Sequence, residues 1–244
     1  MRLLIIRHGD PDYAIDGLTE KGKREVALLA DRLGREEISA IYCSPLGRAQ
    51  LTAAPFAERL GLPVVTADWL REFDHYENGK IMAPDLTKPD CCWDRMPALV
   101  EQYPDLYHPT RWREVDFIQN SRVPELYDMV CRSLDDLLAK YGYVRKGCGY
   151  RVVRSNHDTV ALVCHFGLGS VLLSRLMNAS PYVLWQHTVM LPTSVTTFHS
   201  EERQEGIAHF RAAGIGDVSH LYAGNEPPAF AARFCECFTD DTTH

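Results

Sequence analysis

Apolar residues along this chain fall into short continuous runs, separated by stretches in which they recur every three or four positions. That is the pattern of strands alternating with amphipathic helices, and hence of a layered βα fold. Leu3-Leu4-Ile5-Ile6 predicts a first strand buried on both faces. Beyond it, Val26, Leu29, Ala30 and Leu33 share one face of a helix, with Thr19 as its cap and Gly34 as its stop. Ala40-Ile41-Tyr42-Cys43 reads as a second strand. Ser44 is expected to cap the following helix, with Pro45 in its first turn and Gly61 at its end. Val64-Val65-Thr66 makes a short third strand. A long helix begins at Pro124, carries Leu126, Val130, Leu134, Leu137 and Tyr141 on one face, and stops at Gly142. Val160-Ala161-Leu162-Val163-Cys164 is the clearest central strand, running directly into His165-Phe166-Gly167-Leu168-Gly169 and a helix through Met177. Val195–Phe198 and Ile207–Ala212 suggest a late hairpin, and the tail from Thr239 is expected to fray.

The alternation stops between Asp74 and about Ser121. This stretch holds five prolines (Pro84, Pro89, Pro97, Pro104, Pro109) together with Tyr76, Trp93, Tyr103, Tyr107 and Trp112. It is too apolar for a linker, and structureless loops of this length are uncommon in compact domains. An inserted lid over residues 74–121 is the expectation, with a short helix around Pro97 to Tyr103 and its aromatic residues forming a small second core. The whole chain, 1–244, then reads as one domain.

Composition narrows the function. The chain has 244 residues, a net charge of −7 and 45% hydrophobic residues, too many for a disordered protein. The acidic balance argues against a nucleic-acid or anionic-membrane partner. No run approaches the ~18–20 apolar residues of a membrane span, and four apolar residues before Arg7 are too few for a signal-peptide core, so the expected compartment is the cytoplasm. The eight cysteines lack both an export signal and the paired spacing of a zinc site, so they are expected to be reduced and mostly buried.

Ligands of layered α/β folds gather beyond the carboxyl ends of the strands. Strand one ends in Arg7-His8-Gly9. Strand two is followed by Ser44 and, a turn later, Arg48. The central strand is followed by His165. Each feature alone is commonplace, but together they set two arginines and two histidines at one edge, beside two helix N-termini. Such costly polar groups ask for a counter-charge, and a phosphate dianion fits best.

These residues resemble those of the histidine phosphatase superfamily. The likeness lies in Arg7-His8-Gly9, Leu18-Thr19 with Gly22, Ser44-Pro45 with Arg48-Ala49 and Thr52-Ala53, Leu70-Arg71-Glu72, and His165 after a buried strand. It covers most of the chain outside the insert and implies a three-layer αβα sandwich of the phosphoglycerate mutase-like kind. It implies His8 as the nucleophile that forms a phosphohistidine, and Arg7, Arg48 and His165 as holders of the phosphoryl oxygens, aided by a backbone N–H of Phe166 or Gly167. Glu72, at the end of strand three, becomes the general acid and base, with Asp10 as its rival. Gly9, Asp10, Tyr13, Phe166 and Gly167 are the implied substrate contacts, and no metal or cofactor is called for. The His157-Asp158 pair looks like the acid motif of some relatives, but it precedes the central strand that His165 follows, roughly 20 Å away.

The chain departs from the pattern where His165 is followed by Phe166-Gly167 and where Arg7-His8-Gly9 continues as Asp10-Pro11-Asp12-Tyr13. Both changes bear on the substrate. The implied activity is hydrolysis of a small-molecule phosphate ester. A phosphoglycerate-type mutase and a non-catalytic phospho-ligand binding module are the alternatives. A homodimer could use an edge strand or the segment from Phe230 to Phe238.

Overall fold

Leu3 and Ile5 of the first strand pack to one side of the sheet, while Leu4 and Ile6 pack to the other, and this alternation sets up three layers. The computed structural model describes residues 1–75 and 79–229. The expectations for Tyr76, for the frayed tail and for a contact surface at Phe230 to Phe238 lie outside the described residues.

Strand β1 (Arg2–Arg7) is followed by a small ribbon of β2 (Pro11–Asp12) and β3 (Gly17–Leu18). Helix α1 (Glu20–Leu33) starts where Thr19 Oγ1 accepts the Gly22 N–H at 3.0 Å. Next come β4 (Ala40–Cys43), α2 (Gly47–Leu60) and β5 (Val64–Thr66). The insert contributes the short α3 (Pro97–Gln102) and α4 (Asp116–Gln119), and α5 (Val123–Lys140) leads out of it. The hairpin β6 (Tyr143–Lys146) and β7 (Gly149–Val152) precedes the central β8 (Thr159–Cys164). Then α6 (Phe166–Met177), α7 (Pro181–His187), the hairpin β9 (Val195–Gln204) and β10 (Ile207–Asp217), and α8 (Ser219–Ala223) complete the described fold.

The eight strands run in the order β5-β4-β8-β1-β9-β10-β7-β6. The first four are parallel, and the rest pair antiparallel, starting with β9 against β1. The sheet is therefore mixed rather than wholly parallel, because the two hairpins add to one side of β1. The β6–β7 hairpin has no counterpart in the sequence reading. Its turn is Gly147, held at a φ of 58° that glycine adopts without strain.

One face of the sheet meets α1 and α2 through Leu29, Leu33, Ala53 and Phe56. The other meets α5, α6 and α7 through Val130, Leu134, Leu172 and Tyr182. Fully burying each such side chain contributes about 1.5–3 kcal/mol, set against a conformational entropy of similar total size. The insert does not form its own core. Leu99, Val100, Leu106, Trp112 and Ile118 join the same cluster as α5 and α6, with the Trp112 ring 5.1 Å from Tyr127. Trp112 packs between α5 and α7, against Tyr127 and Tyr182. Cys43, Cys91, Cys92, Cys131, Cys148 and Cys164 are all free thiols, and four of them are buried. Among the described residues no helix is long and apolar enough to cross a membrane.

Candidate active site

Two parallel strands deliver the histidines to one place. β1 ends at Arg7 immediately before His8, and β8, paired with it in register, ends at Cys164 immediately before His165. The two imidazole centroids stand 5.0 Å apart. The His8 N–H donates to Cys164 O at 3.0 Å and the Thr193 N–H to His8 O at 3.1 Å, so the backbone is fixed on both sides. His8 Nδ1 lies 2.7 Å from Gly9 O. A carbonyl can only accept, so Nδ1 carries the proton and Nε2 keeps its lone pair. Burial, and then the nearby Arg7 charge, hold the His8 imidazole well below its ordinary value, so it stays neutral.

Two guanidinium groups surround this lone pair. Arg48 Nε is 3.4 Å from His8 Nε2. Arg7 Nη1 donates to Met190 O at 2.6 Å, its Nε is buried without a partner among the described residues, and its Cζ lies 5.9 Å from the centre of the Phe166 ring. Tyr13 is exposed, and its ring lies 5.3 Å from Arg48 Cζ, marking the solvent side of the site.

The start of α2 differs from expectation. Leu46, not Ser44, stands at the cap, and Pro45 lies outside the helix. Ser44 is occupied elsewhere: its Oγ is 2.8 Å from His165 Nε2. The helix N-terminus is met by a residue that the sequence reading missed. Asp16 Oδ2 accepts the Gly47 N–H at 2.6 Å, and Asp16 Oδ1 accepts Arg48 Nη1 at 2.5 Å. Asp16 sits at a left-handed φ of 47°, and a side chain at position 47 would come within 2.3 Å of its carbonyl oxygen, which is why glycine opens this helix. An apolar Leu46 at a cap position was the one sequence signal that an acceptor had to come from elsewhere.

Glu72 is buried and lies beyond a 3-10 turn (Asp68–Leu70), not at the end of β5. Its Oε1 accepts the N–H groups of Phe73 at 2.7 Å and Leu168 at 2.9 Å, and its Oε2 accepts that of Gly167 at 3.2 Å. Glu72 thus caps α6, and the Gly167 N–H expected for a phosphoryl oxygen is used to hold this carboxyl instead. Burial, and then Asp74, push the Glu72 carboxyl above its ordinary range, while the three N–H groups pull the other way.

The remaining expected contacts serve the scaffold. The Gly9 N–H donates to Thr52 Oγ1 at 3.0 Å. Thr19 Oγ1 donates to the Asp10 carboxylate at 2.6 Å, which ties that side chain to the start of α1. His157 and Asp158 lie at the far end of the sheet, where the Arg2 N–H donates to Asp158 O. The Asp10 N–H donates to Glu25 Oε2 at 3.1 Å, and the Ala229 N–H to Glu25 Oε1 at 3.0 Å. Burial raises the Glu25 carboxyl from 4.5 to about 7. A carboxyl raised in the folded state contributes stability that is complete below its unfolded value and is lost as pH rises through its folded value. Urea unfolding is therefore expected to show a decline of roughly 1–2 kcal/mol between pH 5 and pH 8, which Glu25→Gln flattens. A wild-type stability that rises over this range would contradict the assignment.

Residues 3–85 match the sequence profile of the histidine phosphatase superfamily, branch 1. Phosphoserine phosphatase 1 of Hydrogenobacter thermophilus is 26% identical over 85% of this chain and 90% of its own. The fold is similar to that of a mycobacterial glucosyl-3-phosphoglycerate phosphatase, with a TM-score of 0.57 and 22% identity over 88% of this chain and 98% of that one. It is also similar to a phosphoserine phosphatase of Entamoeba histolytica solved with phosphoserine, with a TM-score of 0.57 and 17% identity over 90% of this chain and 98% of that one. The matched segment carries Arg7, His8, Arg48 and Glu72, and the sequence relative aligns along nearly its whole length, so the histidine phosphatase superfamily is what this chain resembles.

Proposed function

We propose that this protein hydrolyses a small phosphate monoester through a phosphohistidine on His8. The observation that carries this reading is the His8 imidazole itself, which is buried and neutral, with Nδ1 tied to Gly9 O and Nε2 beside a guanidinium group. In the first step the Nε2 lone pair attacks phosphorus, forming the N–P bond as the bond to the ester oxygen breaks. Arg7 and Arg48 meet the charge on the non-bridging oxygens, and His165, held by Ser44, flanks them. Glu72, protonated, gives its proton to the leaving alkoxide. In the second step the Glu72 carboxylate takes a proton from water, the hydroxide oxygen bonds to phosphorus, and the N–P bond returns its electrons to Nε2. Phosphate leaves and His8 is neutral again.

The insert reaches this chemistry. A Cβ at Gly167 would lie 2.7 Å from the Trp93 ring and 2.9 Å from Glu72 Oε1, so Trp93 and the acid both border Gly167, and the Trp93 carbonyl is held by Gln186 Nε2. That supports the insert as the cover of the leaving-group side.

Purified protein incubated with 4-nitrophenyl phosphate is expected to release inorganic phosphate and nitrophenol in equal amounts. Phosphoglycerate isomerised without net phosphate would replace this reading with a mutase. Phosphate bound but no ester turned over would replace it with a binding module.

A further inference from the structure

Beside its buried arginines the site also carries an exposed carboxylate. Arg48 is almost wholly buried, but the carboxylate paired with it is not: Asp16 is 42% exposed at its side chain against 4% for Arg48. This carboxylate does two jobs at once. One oxygen holds the first N–H of α2 and the other holds Arg48 Nη1, so neither the helix nor the guanidinium can turn away without breaking a short charged bond. Only the guanidinium separates Asp16 from His8 Nε2, with 2.5 Å on one side and 3.4 Å on the other. That puts the carboxylate inside the ~8–10 Å Debye length of the reacting nitrogen at physiological ionic strength.

A phosphate dianion tolerates this setting because it touches the arginines directly. A second anionic group on the leaving alcohol would sit farther from both arginines and face the exposed Asp16 carboxylate. The side chains beside that alcohol are instead aromatic: Tyr13, 67% exposed and packed on Arg48, and Trp93, which borders Gly167 together with Glu72.

We propose that Asp16 is a specificity-determining residue, and that the site takes phosphate esters of uncharged alcohols in preference to phosphorylated hydroxy acids. The proposal rests on the phosphatase reading above and names its substrate class. Like-charge repulsion over this separation, with screening between that of water and that of a protein surface, amounts to roughly three- to thirty-fold in rate.

The test compares two esters that differ by one group, glycerol 3-phosphate with an alcohol and 3-phosphoglycerate with a carboxylate. The wild-type protein is expected to have the higher kcat/KM for glycerol 3-phosphate. Asp16→Asn, which keeps an oxygen for the Gly47 N–H, is expected to raise the ratio of 3-phosphoglycerate to glycerol 3-phosphate by about three- to thirty-fold. In wild type the same ratio should climb with added salt, and in the variant it should move much less. Because each enzyme is read as its own ratio, a general loss of activity in the variant cancels. An unchanged or lower ratio in Asp16→Asn overturns the proposal and leaves the phosphatase reading intact. Absence of phosphate release from every ester by wild type overturns the phosphatase reading itself.

Discussion

His8→Ala is expected to lower kcat by at least about 10⁴-fold on alkyl and aryl phosphate esters alike. The size follows from what is removed. His8 Nε2 is the neutral nitrogen lone pair adjoining Arg48, and water in its place has neither its nucleophilicity nor its fixed position. The loss should appear with every leaving group, because each ester must hand its phosphoryl group to the same nitrogen. Folding should survive: the backbone bonds of residue 8 to Cys164 and Thr193 involve no side chain. Circular dichroism and a urea titration of the variant check that point. In wild type, rapid quenching with a radiolabelled ester should leave an acid-labile, alkali-stable label on the protein, and His8→Ala should carry none. The pH profile adds a readout. Since burial and Arg7 keep His8 unprotonated well below the usual imidazole range, the acid limb of kcat/KM should also lie below that range. Turnover retained in His8→Ala would mean that the phosphoryl group passes through another atom.

The parts of this site that were legible in the sequence are those encoded by local pattern. Four consecutive apolar residues before Arg7 could only be a strand buried on both faces, and the same logic placed His165 at the end of β8. Once both strands were central to one sheet, their ends had to be neighbours, so the meeting of His8 with His165 was written into periodicity and strand order. The missed features are bonds between distant residues whose partners have no sequence signature. Ser44 looked like a helix cap because serine before proline commonly is one, yet its hydroxyl is spent on His165, 121 positions away. Asp16 lies in a loop with no pattern at all, and it caps a helix that begins 31 residues later. Glu72 was placed on the right edge, but its binding to the N-terminus of α6 depends on how a 3-10 turn brings it across the sheet. The β6–β7 hairpin was hidden for a simpler reason. Its strands are four residues each, too short for alternation to stand out beside the helix they follow.

Glu72→Gln should separate leaving groups in a way that His8→Ala does not. An alkoxide is too basic to depart without a proton, so alkyl phosphates are expected to lose about 10²–10⁴-fold in kcat. Nitrophenolate departs unaided, so formation of the phosphohistidine from 4-nitrophenyl phosphate should be little changed, and a burst of nitrophenol should precede slow hydrolysis. Glutamine keeps a carbonyl oxygen for the Leu168 and Phe73 N–H groups but sets an amide against the Gly167 N–H, at a cost of about 1 kcal/mol in stability. The pH dependence fixes the protonation state. Burial raises the Glu72 carboxyl above its usual range, so the acid form persists to higher pH than for an exposed glutamate and is lost as pH rises through that raised value. The single-turnover rate on an alkyl ester should therefore fall along this limb, while the burst rate on 4-nitrophenyl phosphate stays level across it. If Glu72→Gln slowed both esters equally, the proton would have to come from a different group, and Glu72 would be left with the structural task of closing the first turn of α6.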